Sequence, residues 1–427
     1  MGVDTLISPA RWLEPGGTFT EGHLLAEDGT IRLLRPDDVL PEGVPTLDGR
    51  GLLVVPGGID AHTHFRQPGQ TYKEGILNGS SAALKGGITT VLDMPNNRPP
   101  CTTEQRLARK RTLFAKRSLV NWGLHVMVVP GRAAPRTPFP SGKVYMAQSS
   151  AARAIRGAAE VRSLLSAWPR LTFHAEDESM FLPLTTPRLP HHVQRPREAI
   201  VRALRTISEA LDQPGPHRAR LVLCHVSTTD EVAWIRQQKS RGVDLWAETC
   251  PHYCLLTQDD CLARGSGLQV NPPLRTADDR AAVREAMADG TIDFVSSDHA
   301  PHTPAEKASS DPPSGIPSLE WMMPLLLHFV ETGILTWKRF LDVTCTAATT
   351  CFGIRGRNGI IPGGEADLAV VGPRIARGAG RIVTRAGYAP FAHLDLRWSV
   401  HATVVNGHIM CRNGMLTGSA RGREVVS

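Results

Sequence analysis

Between about residue 52 and residue 300 the chain repeats one alternation eight times: a short β-rich run, then a longer amphipathic segment rich in Arg, Glu and Ala. The runs read LLVVPGGIDAHTHF, ITTVLDMPN, NWGLHVMVV, GKVYMAQ, LTFHAED, RLVLCHVST, VDLWAETCPH and IDFVSSDHAPH. Strands alternating with helices call for a parallel sheet, and eight such units are the number that closes a (β/α)8 barrel. Nearly every run begins apolar and ends polar. That polarity is what such a barrel needs, because its chemistry sits at the C-terminal ends of its strands. The segments 103–119 and 151–166 carry their charge on solvated faces. The basic stretch RLARKRTLFAKR has no aromatic platform beside it, so it reads as an outer helix facing water and not as a nucleic-acid surface.

A barrel of roughly 250–300 residues leaves part of a 427-residue chain to place. The two ends share a different style, with short alternating runs around turns such as EPGG and EDGT, then ADLAVVGP, HATVVNGHIM and RNGMLTG. The expected architecture is α/β: a TIM-like barrel over residues 56–356, with a small β-sandwich formed by residues 1–55 and 357–427. Apolar residues make up 41% and charged residues 21%, which suits a soluble globular protein with a large core. The net charge of +7 is modest for this length and favours anionic small molecules slightly. No basic-then-apolar leader opens the chain and no run approaches 18 apolar residues, so a cytoplasmic location is expected. The eight cysteines form no CxxC framework and read as free thiols. Cys224, directly before His225, is expected on the opposite face of its strand as a small apolar group.

The polar residue at each strand end carries the chemistry. On an extended first strand, Asp60, His62, His64 and Arg66 all project the same way. Strand four adds Lys143, strand five His174, strand six His225 and strand eight Asp298. Singly, His174 or His225 reads as a satisfied core histidine, and Lys143 as a surface lysine. Yet GKVYM is otherwise a buried strand pattern, where an unpaired ammonium is costly. Together these residues converge on one barrel mouth as nitrogen donors and a carboxylate, a set suited to one or two zinc-like ions. Such a metal lowers the pKa of a water from about 16 toward about 7, and a carboxylate at Asp298 can accept the proton released in attack.

On these motifs, together with KGGITTVLDMPNNRPP, VNPPLR, SSDHAPHTPAEK and the tail GIIPGGEADLAVV, the chain resembles the metal-dependent amidohydrolases, and within them the dihydroorotases, almost end to end. The resemblance implies a binuclear centre in which His62, His64, Lys143, His174, His225 and Asp298 hold two Zn2+ per chain, bridged by a carboxylated Lys143. It implies Asp298 as the catalytic acid–base, Arg66, Asn96 and His302 around a substrate carboxylate, and Asn271 with the backbone of Ser314 and Gly315 against the ring. Asp60 and Glu176 stand as candidates to orient imidazoles. The implied activity is the interconversion of L-dihydroorotate and N-carbamoyl-L-aspartate by a metal-bound hydroxide in de novo pyrimidine biosynthesis. An allantoinase- or hydantoinase-like cyclic amidase, and a catalytically silent structural homologue, are the rival readings. The implied partners are the small-molecule substrate, further copies of the chain and aspartate transcarbamoylase, with no nucleic acid and no membrane.

The chain departs from that family's pattern at four points. Gly75 stands where K-E-D has its Asp, and Ile200 where R-P-x-x-A is followed by Glu. MPNN replaces M-P-N-T, and TAATTCFG lacks an Asn-Pro. The first two are expected near the substrate.

Overall fold

The computed structural model describes residues 3–147, 154–183, 188–215, 219–374 and 382–425. Its strands in chain order are β1 (Val3–Leu13), β2 (Phe19–Glu27), β3 (Thr30–Leu34), β4 (Thr46–Leu47), β5 (Leu53–Pro56), β6 (Gly58–Thr63), β7 (Ile88–Asp93), β8 (Asn121–Leu124) and β9 (Val126–Met127). They continue as β10 (Gly142–Tyr145), β11 (Arg170–His174), β12 (Arg220–Leu223), β13 (Leu245–Thr249), β14 (Phe294–Val295), β15 (Leu368–Pro373), β16 (Trp398–Val405), β17 (His408–Arg412) and β18 (Met415–Leu416).

Strands β6 to β14 are the barrel. They form two parallel sheets, ordered β6-β7-β8 and β14-β13-β12-β11-β10-β9. One run, NWGLHVMVV, is split at His125 into β8 and β9, so the barrel strands fill eight positions as expected. The ring closes where His64 N donates to His299 O at 2.8 Å, beside a parallel bridge from Thr63 to His299. Below the site the interior is filled by Ile59, Ala61, Leu92, Val222 and Phe294, packed on Cys345, Ala348, Cys351 and Phe352.

The outer helices form where apolar residues recur at helical spacing. In the helix Arg197–Asp212, Ala199, Ile200, Ala203, Leu204, Ile207, Ala210 and Leu211 are buried. Each large one contributes about 1.5–3 kcal/mol of burial. The helix Thr229–Ser240 begins with a capping box in which Thr228 accepts from Glu231 N, while the Glu231 carboxylate accepts from the Ser227 and Thr228 amides at 2.9 Å. That cap pins the loop carrying His225 to a rigid helix start.

The chain ends share one nine-stranded sheet, ordered β18-β17-β16-β15-β5-β1-β2-β3, with β4 on β1. Antiparallel β15 and β5 join its two halves. Alternation sorts its faces: Val54, Leu368, Val370 and Val404 meet Ile7, Trp12 and Leu24 in a core of their own, while Val55, Ala369 and Val371 pack with the barrel core. All eight cysteines are free. No helix among the described residues is long and apolar enough to cross a membrane.

Candidate metal centre

All twelve residues expected at the site line one cavity of about 250 Å³ at the C-terminal mouth of the barrel. Three of them stand in left-handed backbone just past their strands: Arg66 (φ 59°), His225 (φ 41°) and Asp298 (φ 43°). Non-glycine residues there cost of order 1–3 kcal/mol, and the turn swings their side chains out of strand alternation.

That geometry corrects two expectations. Val222 points into the barrel, so Cys224, two residues on, points inward as well, with Sγ 2.8 Å from Lys143 Nζ. The turn at His225 then brings the imidazole to the same mouth. On β6, register shifts interrupt the alternation between Asp60 and Thr63. The Asp60 carboxylate accepts from His62 N at 3.1 Å and Ser297 N at 3.2 Å. It ties the first barrel strand to the eighth and, among the described residues, holds no imidazole nitrogen. Burial raises its pKa to about 6.

The imidazoles are held from outside and face inward. His62 Nδ1 bonds the Glu248 carboxylate, leaving Nε2 3.4 Å from Asp298 Oδ1. His64 Nδ1 meets Asn96 Oδ1 at 2.7 Å, and its Nε2 lies 3.1 Å from the same Asp298 oxygen. His174 Nε2 meets Glu176 at 2.8 Å, as expected of that carboxylate, and its Nδ1 lies 2.9 Å from His225 Nε2. One nitrogen on a fixed partner and one turned inward is the arrangement of metal-ligating histidines.

Charge follows from these contacts. Burial lowers the pKa of His64 to about 4 and depresses those of His174 and His225, so all three are neutral at pH 7, with a lone pair to give. His62 is desolvated too, yet Glu248 outweighs that and raises it to about 10. Asp298 is also buried, but His62 and His64 hold it below the usual carboxylate range. Ligand atoms of His62, His64 and Asp298 all lie within 4.8 Å of one another. This donor set fits a zinc-like ion.

Beside it is a cationic corner. Arg66 is 7% exposed; its Nη2 is 3.2 Å from His302 Nε2, and among the described residues its Nε has no hydrogen-bond partner. Lys73 Nζ lies 3.0 Å from His302 Nδ1 and 2.8 Å from Glu306. Among the described residues no carboxylate pairs with Arg66.

Sequence reasoning missed Glu248, which holds His62, and Arg195 and Tyr145, which line the cavity. Glu248 ends an apolar run, the same signal that singled out the ligands, and Arg195, which lines the cavity and grips Glu176, opens RPREA. Neither Gly75 nor Ile200 is among the residues that line the cavity. Gly75 (φ 92°) starts the helix Ile76–Lys85, and Ile200 is fully buried in the core.

A family model, the amidohydrolase family, matches residues 53–179 and 188–410. A dihydroorotase of Halobacterium salinarum is 36% identical over 82% of this chain and 86% of its own. One from Bacillus caldolyticus is 34% identical, covering 84% and 88%, and one from Geobacter metallireducens is 30% identical, covering 96% and 99%. The chain belongs to the dihydroorotase branch of the amidohydrolase family. Among solved structures, this amidohydrolase is similar to an L-hydantoinase (dihydropyrimidinase) from Arthrobacter aurescens, with a TM-score of 0.87, 26% identity and 100% of each chain covered. It also matches the fold of a dihydropyrimidinase from Brevibacillus agri, with a TM-score of 0.85 and 23% identity over 99% and 98% of the chains.

Proposed function

We propose that the protein is a zinc-dependent dihydroorotase, interconverting L-dihydroorotate and N-carbamoyl-L-aspartate at the cavity described above. The observation that carries the choice among cyclic amides is Arg66. A buried guanidinium without a carboxylate partner is costly, and a substrate carboxylate supplies the missing anion bidentately. Asn96 supports this: its Oδ1 is engaged by His64, and among the described residues no partner takes its amide N–H groups, which leaves them to the cavity beside Arg66 and His302. Allantoin and dihydrouracil bring no such anion.

His62, His64, Lys143, His174, His225 and Asp298 would hold two divalent ions, with Lys143 acting as its carbamate. Ions so held would acidify a water and polarise the amide carbonyl. Asp298 moves the proton: its Oδ1 faces the cavity as a carboxylate, takes the proton of the attacking water and returns it to the leaving ring nitrogen. Glu248, Asn96 and Glu176 keep three imidazoles aimed, so the ligand geometry is set before substrate arrives.

The test is turnover of dihydroorotate against allantoin and dihydrouracil, with metal content measured on the same sample. We expect preference for dihydroorotate, close to two divalent metals per chain, and loss of activity on chelation. Preference for a neutral ring would transfer the protein to the hydantoinase-like amidases, and activity without metal would end the mechanism.

A further inference from the structure

His191 belongs to none of the residues discussed so far, yet it touches two that line the cavity. It opens the short helix His191–Gln194. Its Nε2 lies 3.0 Å from Val270 O, 2.9 Å from Asn271 Oδ1 and 3.3 Å from Ser314 Oγ. A backbone carbonyl can only accept, so the nitrogen facing Val270 O carries the ring proton. An asparagine amide is nearly symmetric in shape, and its neighbours decide which end points where. An N–H at His191 tolerates the oxygen end and rejects the NH2 end, so the Asn271 NH2 is left to the cavity. Ser314 is treated alike. Its oxygen accepts from Gln269 Nε2 at 3.2 Å and faces the His191 N–H, which leaves its O–H free to donate.

We propose that His191 is a positioning residue: its Nε2–H turns Asn271 and Ser314 into paired hydrogen-bond donors, so that this part of the pocket accepts a ring carbonyl and rejects a ring N–H. This rests on the cyclic-amide reading above and adds the polarity of the ring contact to it. Burial lowers the pKa of His191 to about 4, so the ring is neutral at pH 7 with a single proton to place.

Two experiments on the full-length, metal-loaded enzyme test this. Nitrogen-15 NMR of labelled histidine should find His191 as the Nε2–H tautomer at pH 7, and an Nδ1–H tautomer would overturn the proposal. That measurement needs no substrate, so a wild type that fails to open dihydroorotate would sink the functional reading and leave this one to be decided by the tautomer. In kinetics, His191→Phe keeps the ring's bulk and loses the donor. KM for dihydroorotate should rise about three- to tenfold, the scale of one neutral hydrogen bond, with kcat changed less than about twofold. His191→Gln, whose amide N–H can meet the same oxygens, should recover most of the loss. In an Asn271→Ala background, His191→Phe should add less than about a further twofold. Fully additive losses, or an unchanged KM in a His191→Phe protein whose melting temperature shows it folded, would mean that His191 serves only the scaffold.

Discussion

Lys143 Nζ donates to Cys224 Sγ at 2.8 Å on the floor of the cavity. The side chain is 1% exposed, and among the described residues no carboxylate pairs with it. A thiol is a weak acceptor for a buried ammonium. Loss of a proton and addition of carbon dioxide to the free amine, with release of the second proton, would replace that cation with a carbamate anion, a ligand for divalent metals. Lys143→Ala should therefore lower both metal content and activity, with partial rescue by short carboxylic acids that fill the vacated position. Mass spectrometry or electron density showing an unmodified Lys143 in active, metal-loaded enzyme would reject the carbamate.

Asp298→Asn should preserve the fold and much of the metal while turnover falls by about 10²–10⁴, the usual worth of general acid–base catalysis. Steady-state kinetics with metal analysis on the same sample provides the check. Near-normal kcat would remove Asp298 from its role.

Arg66→Met should raise KM for dihydroorotate by about ten- to a hundredfold. Charge-assisted hydrogen bonds are worth roughly 1.5–3 kcal/mol, and each 1.4 kcal/mol is a factor of ten. Comparison of kcat/KM on dihydroorotate and on a neutral cyclic amide isolates the carboxylate contribution. Equal losses on both would assign Arg66 to the scaffold.

Lys110→Met should destabilise the protein without touching the cavity. Lys110 Nζ and Asp93 Oδ2 form a 2.6 Å ion pair, with side chains 1% and 0% exposed. Asp93 Oδ1 also accepts from Phe65 N at 2.7 Å, next to His64. Removing one partner of such a pair typically costs about 3–5 kcal/mol. Denaturant unfolding measures the loss. A midpoint equal to wild type would show that the pair contributes nothing.

Most of the site is legible in the sequence, because a barrel collects strand ends in one place. His62, His64, Lys143, His174, His225 and Asp298 are far apart in the chain, but the rule that each run ends polar was enough to gather them. What alternation could not give is direction past a strand's end. Alternation carries Cys224 inward with Val222, and the expectation that it faces away from His225 fails because left-handed backbone at His225, not strand alternation, brings that imidazole to the mouth. Asp60 shares the spacing of His62 and His64, but the register shift on β6 turns its carboxylate toward the Ser297 amide. Glu248 obeys the same end-of-strand rule. Its place behind His62 depends on β13 and β6 meeting across the barrel, a contact between residues 186 apart in sequence.

The pairing of β5 with β15 also bears on how the chain is made. Synthesis proceeds from the N-terminus, so β1 to β5 leave the ribosome early, and one side of β5 has no partner until Leu368 and its neighbours follow the entire barrel out. During that interval Val54 and Val55 lie along an open edge of a nascent half-sheet, the kind of edge that recruits other chains. The terminal sheet is thus a clasp fastened last. A chain cut short within β15 keeps all twelve cavity residues and still carries that edge unpaired, so its fate would turn on chaperone capture before any question of catalysis arises.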